Sequence, residues 1–355
     1  MNVILIISDT MRRDHLGLYG NEWIHTPNLD RFAQMSYVFD NAYCANFPTV
    51  PNRLDVMTGR FTMTEYGWQP MPRDATIISE VLGEAGRTTQ MIVDTPHILR
   101  RGFGFDRGFG GWEWIRGQEN DEWRTAPADT TLRAAPEKLR NPETTMRQHL
   151  RNVSGRRTEA DCFCARTMQS ACDWLEDNRE QDFFLYLDTF DPHEPWDAPQ
   201  WYVDLYDPGY EGESVSYPVY TQADYLSEAE LKHLRALYAA EVTLVDAWVG
   251  RLFAKVEQLG LMDDTAIIFT TDHGFYHGEH NLVGKCIITE NFHADTPLYS
   301  EVARLPLMIY VPGGEAGKRI EAYAQPPDYA ATVLDLMGVP APETLQGMSL
   351  APIMR

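Results

Sequence analysis

Asn46-Phe47-Pro48-Thr49-Val50-Pro51-Asn52-Arg53, closed by Met57-Thr58-Gly59-Arg60, is the stretch on which the reading of this chain turns. If Thr49 opens a helix, Arg53 follows about one turn later, so a hydroxyl and a guanidinium can share one face. A helix N-terminus also favours an anion. A threonine hydroxyl is a poor nucleophile at neutral pH. A metal ion can activate it by lowering its pKa and holding it in line. The structural alternatives are a plain helix cap at Thr49 and, for Arg53, a buried ion pair with Asp55 or another acid.

Outward from this stretch, short apolar runs alternate with amphipathic helices, which predicts an α/β fold, a three-layer α/β/α arrangement on a mostly parallel sheet. Val3–Ile7 reads as the first strand and ends at Asp9. Thr88–Val93 reads as a strand ending at Asp94, Phe183–Leu187 as one ending at Asp188, and Thr265–Thr271 as one ending at Asp272. Leu305–Val311 is a further strand. Helices are predicted over 28–34, 74–84, 158–178 and 329–337. Ser227 and Glu230 form a capping box that opens a long helix ended by Gly260. Residues 99–155 and 195–224 lack periodicity and read as excursions from a single catalytic domain spanning 1–355.

The polar clusters fall where strands end. Asp9, Asp94, Asp188 to His193 and Asp272-His273 could converge beyond the carboxyl edge of one sheet, where α/β proteins bind ligands. An Asp beside a His suits a divalent metal. Thr-Asp-His-Gly alone reads equally well as a turn. His193 between two prolines, His97, His277 and His280 each have a purely structural alternative, as does Lys285 on the surface. Trp112, Trp114 and Trp123 could wall a pocket or pin a long loop.

The 52 acidic and 30 basic residues give a net charge of −22. So acidic a chain repels polyanions, which argues against nucleic acid or an anionic membrane as partner. No run approaches a membrane span. The five cysteines, Cys44, Cys162, Cys164, Cys172 and Cys286, lack zinc-ribbon spacing and suit a reducing cytoplasm. The expected partner is a small molecule, and a homo-oligomer is left open.

The motifs together resemble the sulfatase branch of the alkaline phosphatase superfamily. That family has an N-terminal strand ending in Asp, a Cys(Ser)-x-Pro-x-Arg and Thr-Gly-Arg signature, and a late Asp-His or Asp-Asn. Here these match Asp9, Thr49 to Arg60, and Asp272-His273. Further matches are Asp14 to Gly20, Thr26 to Asp30, Asn41 to Cys44, and Pro192-His193-Glu194-Pro195. A late block, Gly278 to Leu282 with Lys285, Tyr299, Glu301, Arg304, Pro306-Leu307 and Pro312-Gly313, also corresponds, as does Leu345 to Leu350 with Pro352. Three departures stand out. Thr49 replaces the cysteine that sulfatases convert to formylglycine. Asp9-Thr10 replaces Asp-Asp, and Val93-Asp94-Thr95-Pro96-His97 replaces Gly-Lys-Trp-His. The family's small C-terminal sheet is expected to be reduced or absent.

The resemblance implies a hydrolase with one divalent metal (Mn, Zn or Ca) held by Asp9, Thr49, Asp272 and His273. It is similar in this to the lipoteichoic acid synthase group, which also uses threonine. The two-metal pattern of nucleotide pyrophosphatases is not met by the Asp188 to His193 spacing. Arg53 would steady the charged oxygens. Lys285 would bind a non-bridging oxygen. His193 would be the general acid, with His280 or His97 as alternatives. The leading expectation is hydrolysis of phosphate mono- or diesters, or phosphonate monoesters, through phospho-Thr49. The rivals are a sulfatase acting without formylglycine and a non-catalytic family member.

Overall fold

Val3–Ile7 are all fully buried, as a strand covered on both faces must be. In the computed structural model, which describes residues 1–289 and 292–354, they form β1 (Asn2–Ser8) near the centre of a nine-stranded sheet. The other strands are β2 (Tyr37–Tyr43), β3 (Thr88–Val93), β4 (Gly111–Trp114), β5 (Phe183–Thr189), β6 (Thr265–Thr270), β7 (Arg304–Leu305), β8 (Leu307–Tyr310) and β9 (Arg319–Ala324). Their order is β7-β2-β8-β6-β1-β5-β3-β4, with β9 paired to β2. β6, β1, β5, β3 and β4 run parallel, while β8 is antiparallel to both β6 and β2.

Alternate residues of β1 serve opposite cores. Ile4 and Ile6 pack with α1 (Pro27–Ala33), α4 (Phe163–Asn178) and α5 (Glu228–Gln258). Val3, Leu5 and Ile7 pack with α2 (Thr49–Thr58), α3 (Ile78–Glu84) and α6 (Pro326–Leu336). This is the three-layer α/β/α arrangement expected. Burying each such side chain is worth about 1.5–3 kcal/mol.

Several element bounds differ from expectation for local reasons. The helix expected from 74 starts at Ile78, because Arg107 captures the carbonyls of Pro72 and Ala75. The helix expected from 158 starts at Phe163, because a Thr158/Asp161 capping box closes a separate 3-10 turn over Glu159–Asp161. The strand expected over 305–311 breaks at Pro306, which has no N–H to give a ladder. The Ser227/Glu230 capping box is present.

A second, antiparallel sheet joins Tyr220–Gln222, Tyr276–His277, Leu282–Thr289 and Phe292–Ala294. It carries Lys285 toward the main sheet. Among the described residues no helix is long and apolar enough to cross a membrane. All five cysteines are free thiols.

Candidate active site

Asp9 and Asp272 follow the C-terminal ends of the adjacent parallel strands β1 and β6, so register alone brings them together. Asp188 lies one strand further, in β5. All three carboxylates are fully buried, and Arg53 is buried among them. Its guanidinium is bidentate on Asp188 (Nε–Oδ2 3.0 Å, Nη2–Oδ1 2.9 Å). Its Nη1 lies against Asp272 and 3.1 Å from Asp9. Arg53 therefore points down into the acids and does not stand beside Thr49 facing an ester. It is the buried ion-pair residue of the structural alternative, although its partners are these three acids. Asp55 is occupied by the Thr62 amide and hydroxyl.

Thr49 opens α2 as its first residue and is buried. The turn it begins is fixed on the acid cluster. Phe47 meets the His273 ring edge-on at 5.0 Å, and Asn52 Nδ2 donates to the Asp272 carbonyl at 3.1 Å. Among the described residues the Thr49 hydroxyl makes no hydrogen bond, so it is not a side-chain cap.

Asp9, Asp272 and His273 can each turn one ligand atom to a common point, these atoms lying within 4.8 Å of one another. The donor set fits a divalent cation on three counts. First, three buried carboxylates against the Arg53 guanidinium and the nearby Lys285 ammonium leave one negative charge uncompensated, and isolated buried charge is costly. Burial and the neighbouring Asp272 accordingly push the Asp9 carboxyl well above its ordinary range. Second, the buried Asp9 Oδ2 has the Arg53 Nη1 beside it at 3.1 Å but no aligned hydrogen bond among the described residues. Third, His273 Nδ1 donates to the Gly274 carbonyl at 3.0 Å, which leaves Nε2 as a lone pair. Burial, helped by Lys285, lowers the His273 pKa to about 3, so the imidazole is in its ligating form.

Thr10 stands where the family's second acid would be and takes a left-handed conformation at φ 63°, which is rare for a β-branched residue. Its hydroxyl donates to Asp9 Oδ1 at 2.7 Å and its amide to Asp272 Oδ1 at 3.0 Å. It fixes the orientation of both carboxylates.

Lys285 is buried, with Nζ 2.8 Å from His193 Nε2 and 3.4 Å from His273 Nε2. An ammonium only donates, so His193 Nε2 accepts and its proton sits on Nδ1, which donates to the Glu194 carbonyl at 2.6 Å. Burial and Lys285 push the His193 pKa well below its usual value.

His97 is held through Nε2, 3.0 Å from Glu119, with Phe190 between it and His193. His280 is not part of this cluster. It stacks on Tyr299 at 3.8 Å and meets Glu301, because its left-handed backbone turns it outward. Asp94, expected at the cleft, is turned away: it accepts from Thr167, Thr189 and the Phe190 amide. His277 faces Arg12 and Tyr238. Trp114 and Arg116 line a cavity of about 510 Å³ beside this region, while Trp112 is exposed.

Sequence reasoning placed Asp188 among the strand-end acids that could converge, but gave no role to Thr10, Glu119, Arg140 or Glu194.

Residues 1–339 match the Sulfatase family profile. An arylsulfatase of Clostridium perfringens is 26% identical over 98% of this chain and 77% of its own length. A multifunctional alkaline phosphatase superfamily protein, PehA, of Trinickia caryophylli is 25% identical over 99% and 77%. Among solved structures, the phosphonate monoester hydrolase of Silicibacter pomeroyi superposes with a TM-score of 0.76 at 22% identity, over 99% of this chain and 76% of that one. The structure of BT4656 in complex with its substrate D-glucosamine-2-N,6-O-disulfate gives 0.74 at 21%, over 99% and 80%. Members of this superfamily use a divalent metal ion, and the Asp9, Asp272 and His273 donors form a site of that kind. With a family match over nearly its whole length and a fold to agree, the chain belongs to the sulfatase family of the alkaline phosphatase superfamily and is a hydrolase of ester bonds.

Proposed function

We propose that this hydrolase cleaves phosphate mono- or diesters, phosphonate monoesters included, with Thr49 as nucleophile. The observation that carries this reading is Thr49 itself. A threonine cannot become formylglycine, yet it opens the helix turn packed on Asp272 and His273, and its hydroxyl has no partner among the described residues. The name of the PehA relative agrees with phosphoester chemistry. The name of the arylsulfatase relative favours the second reading, a sulfatase working without formylglycine.

A divalent ion held by Asp9, Asp272 and His273, with Thr49, would acidify the threonine hydroxyl and neutralise charge on the ester. Mn, Zn and Ca each suit part of this donor set. Thr49 Oγ1, having lost its proton to solvent, forms the new bond to phosphorus as the bond to the leaving oxygen breaks. The leaving oxygen takes a proton from the Lys285–His193 pair. Water then cleaves phospho-Thr49 and the proton returns to the pair. Arg53 neither touches substrate nor donates a proton. It holds Asp9, Asp188 and Asp272 in place. The substrate is a small molecule, the net charge of −22 disfavours polyanions, and free thiols agree with a cytoplasmic site.

A turnover panel on metal-loaded protein tests this. It compares 4-nitrophenyl phosphate, a phosphodiester, a phosphonate monoester and 4-nitrophenyl sulfate, with Thr49→Ala alongside. Phosphoester turnover that vanishes in Thr49→Ala is expected. Faster turnover of the sulfate would establish the second reading instead.

A further inference from the structure

His193 and His97 each face a carboxylate, and both carboxylates meet one arginine. Arg140 Nη2 lies 2.9 Å from Glu194 Oε1 and 3.4 Å from Glu119 Oε1. Each glutamate also receives a tyrosine hydroxyl on that same oxygen: Tyr217 on Glu119 at 2.6 Å, and Tyr220 on Glu194. The guanidinium lies between these two rings, 4.3 Å from each centroid. Each glutamate turns its other oxygen to an imidazole. Glu119 Oε2 is 3.0 Å from His97 Nε2, and Glu194 Oε2 is 3.2 Å from His193 Nδ1. Both are charge contacts: among the described residues neither Oε2 accepts an aligned hydrogen bond, and both glutamates are buried.

The result is a two-armed bracket in which one arginine, two tyrosines and two glutamates fix two histidines. Its parts come from both excursions. Glu119 and Arg140 belong to residues 99–155, and Tyr217 and Tyr220 to residues 195–224. Glu119 holds this place in a left-handed conformation at φ 45°, rare for a residue with a side chain. The far ends of the histidines are the ones left for chemistry. His193 Nε2 meets Lys285, and His97 Nδ1 is buried without a partner.

We infer that Arg140 is a positioning residue of the active site, which through Glu194 sets the ring orientation of His193, whose tautomer the Lys285 ammonium and the Glu194 carbonyl fix, and through Glu119 sets both the orientation and the tautomer of His97. The inference rests on the ester-hydrolase reading for its effect on rate, though not for its effect on the imidazoles. The bracket has no need of the metal. It acts as the carboxylate of a Ser-His-Asp triad does, by holding an imidazole in its working tautomer. The excursions, which have no periodic sequence of their own, thereby serve the proton donor and not only substrate contact.

Two readouts test this on the full chain. The first is long-range 1H–15N correlation of the histidine rings in wild type, Arg140→Met, Glu194→Gln and Glu119→Gln. Wild type should show His193 as Nδ1–H and His97 as Nε2–H. Arg140→Met should show a tautomer mixture at His97 and shifted ring resonances at His193 with its tautomer kept. Glu194→Gln should disturb His193 alone, and Glu119→Gln His97 alone. An unchanged His97 tautomer together with unchanged His193 resonances in folded Arg140→Met would overturn the inference, whatever ester the enzyme takes. The glutamine variants decide the matter if Arg140→Met does not fold.

The second readout compares kcat/KM for phenyl and 4-nitrophenyl esters of whichever acid wild type hydrolyses. A poor leaving group needs the proton, so Arg140→Met should lose about 100-fold more on the phenyl ester. Guanidinium ion added to Arg140→Ala should restore part of that loss. Equal losses on both esters would mean a merely structural role. A wild type inactive on every ester would refute the functional reading alone, because the tautomer result stands apart from it.

Discussion

Lys285 Nζ lies 2.8 Å from His193 Nε2, and this contact decides which end of the imidazole carries its proton. Two groups so joined act as a unit, and units are non-additive under mutation. Lys285→Ala and His193→Ala should each lower kcat on an aryl ester by about 10²–10⁴-fold. The double variant should lose little beyond the worse single one. Rate measurements on the full cycle check this, and additive losses would separate the two residues into independent roles.

Chelation should abolish turnover, and adding back Mn, Zn or Ca should restore it. Asp9→Asn and Asp272→Asn should bind metal too weakly to survive dialysis. Thr10→Ala removes the hydroxyl that orients Asp9 and should weaken metal affinity by about 10–100-fold, the range for an outer-sphere partner. Metal content and titration of the apo-protein read all three.

Removing Arg53 strips the buried carboxylates of their counter-charge. Arg53→Met should destabilise the metal-free protein by about 3–5 kcal/mol, the cost of orphaning a buried ionic partner. Denaturant unfolding at neutral pH measures it. Asp188→Asn in the same background should recover part of the loss.

Stability should fall as pH rises. Burial, followed by the nearby Asp191, pushes the Asp94 carboxyl up to about 8. A raised carboxyl binds its proton more tightly when folded. Its contribution is complete below the unfolded pKa and is lost as pH climbs toward 8. The slope is at most about 1.4 kcal/mol per pH unit. Unfolding free energies across pH 5–8 should show this decline, and Asp94→Asn should flatten it.

The layer arrangement was legible because β1 and β5 are unbroken apolar runs that can only be covered on both faces. The strand-end acids were legible for the same reason, since parallel register sets Asp9 beside Asp272. Asp94 misled because its position at a strand end matches theirs, while hydroxyls on α4 and β5 draw it to the other side. His280 misled because its motif neighbours say nothing of the left-handed turn that carries it outward. The bracket around Arg140 left no trace in the sequence. It joins residues up to about a hundred positions apart, drawn from segments without periodicity, and only the packed fold brings them together. The strand bearing Lys285 was missed because its register is fixed by partners in a small separate sheet.

The central claim is that Thr49 bonds covalently to substrate. Acid quench of metal-loaded enzyme during turnover of an aryl phosphoester, followed by mass spectrometry of the peptide containing Thr49, tests it directly. Phosphorylation at Thr49, absent from a quench without substrate, is the predicted result. An unmodified Thr49 peptide, together with undiminished turnover by Thr49→Ala, would contradict the account.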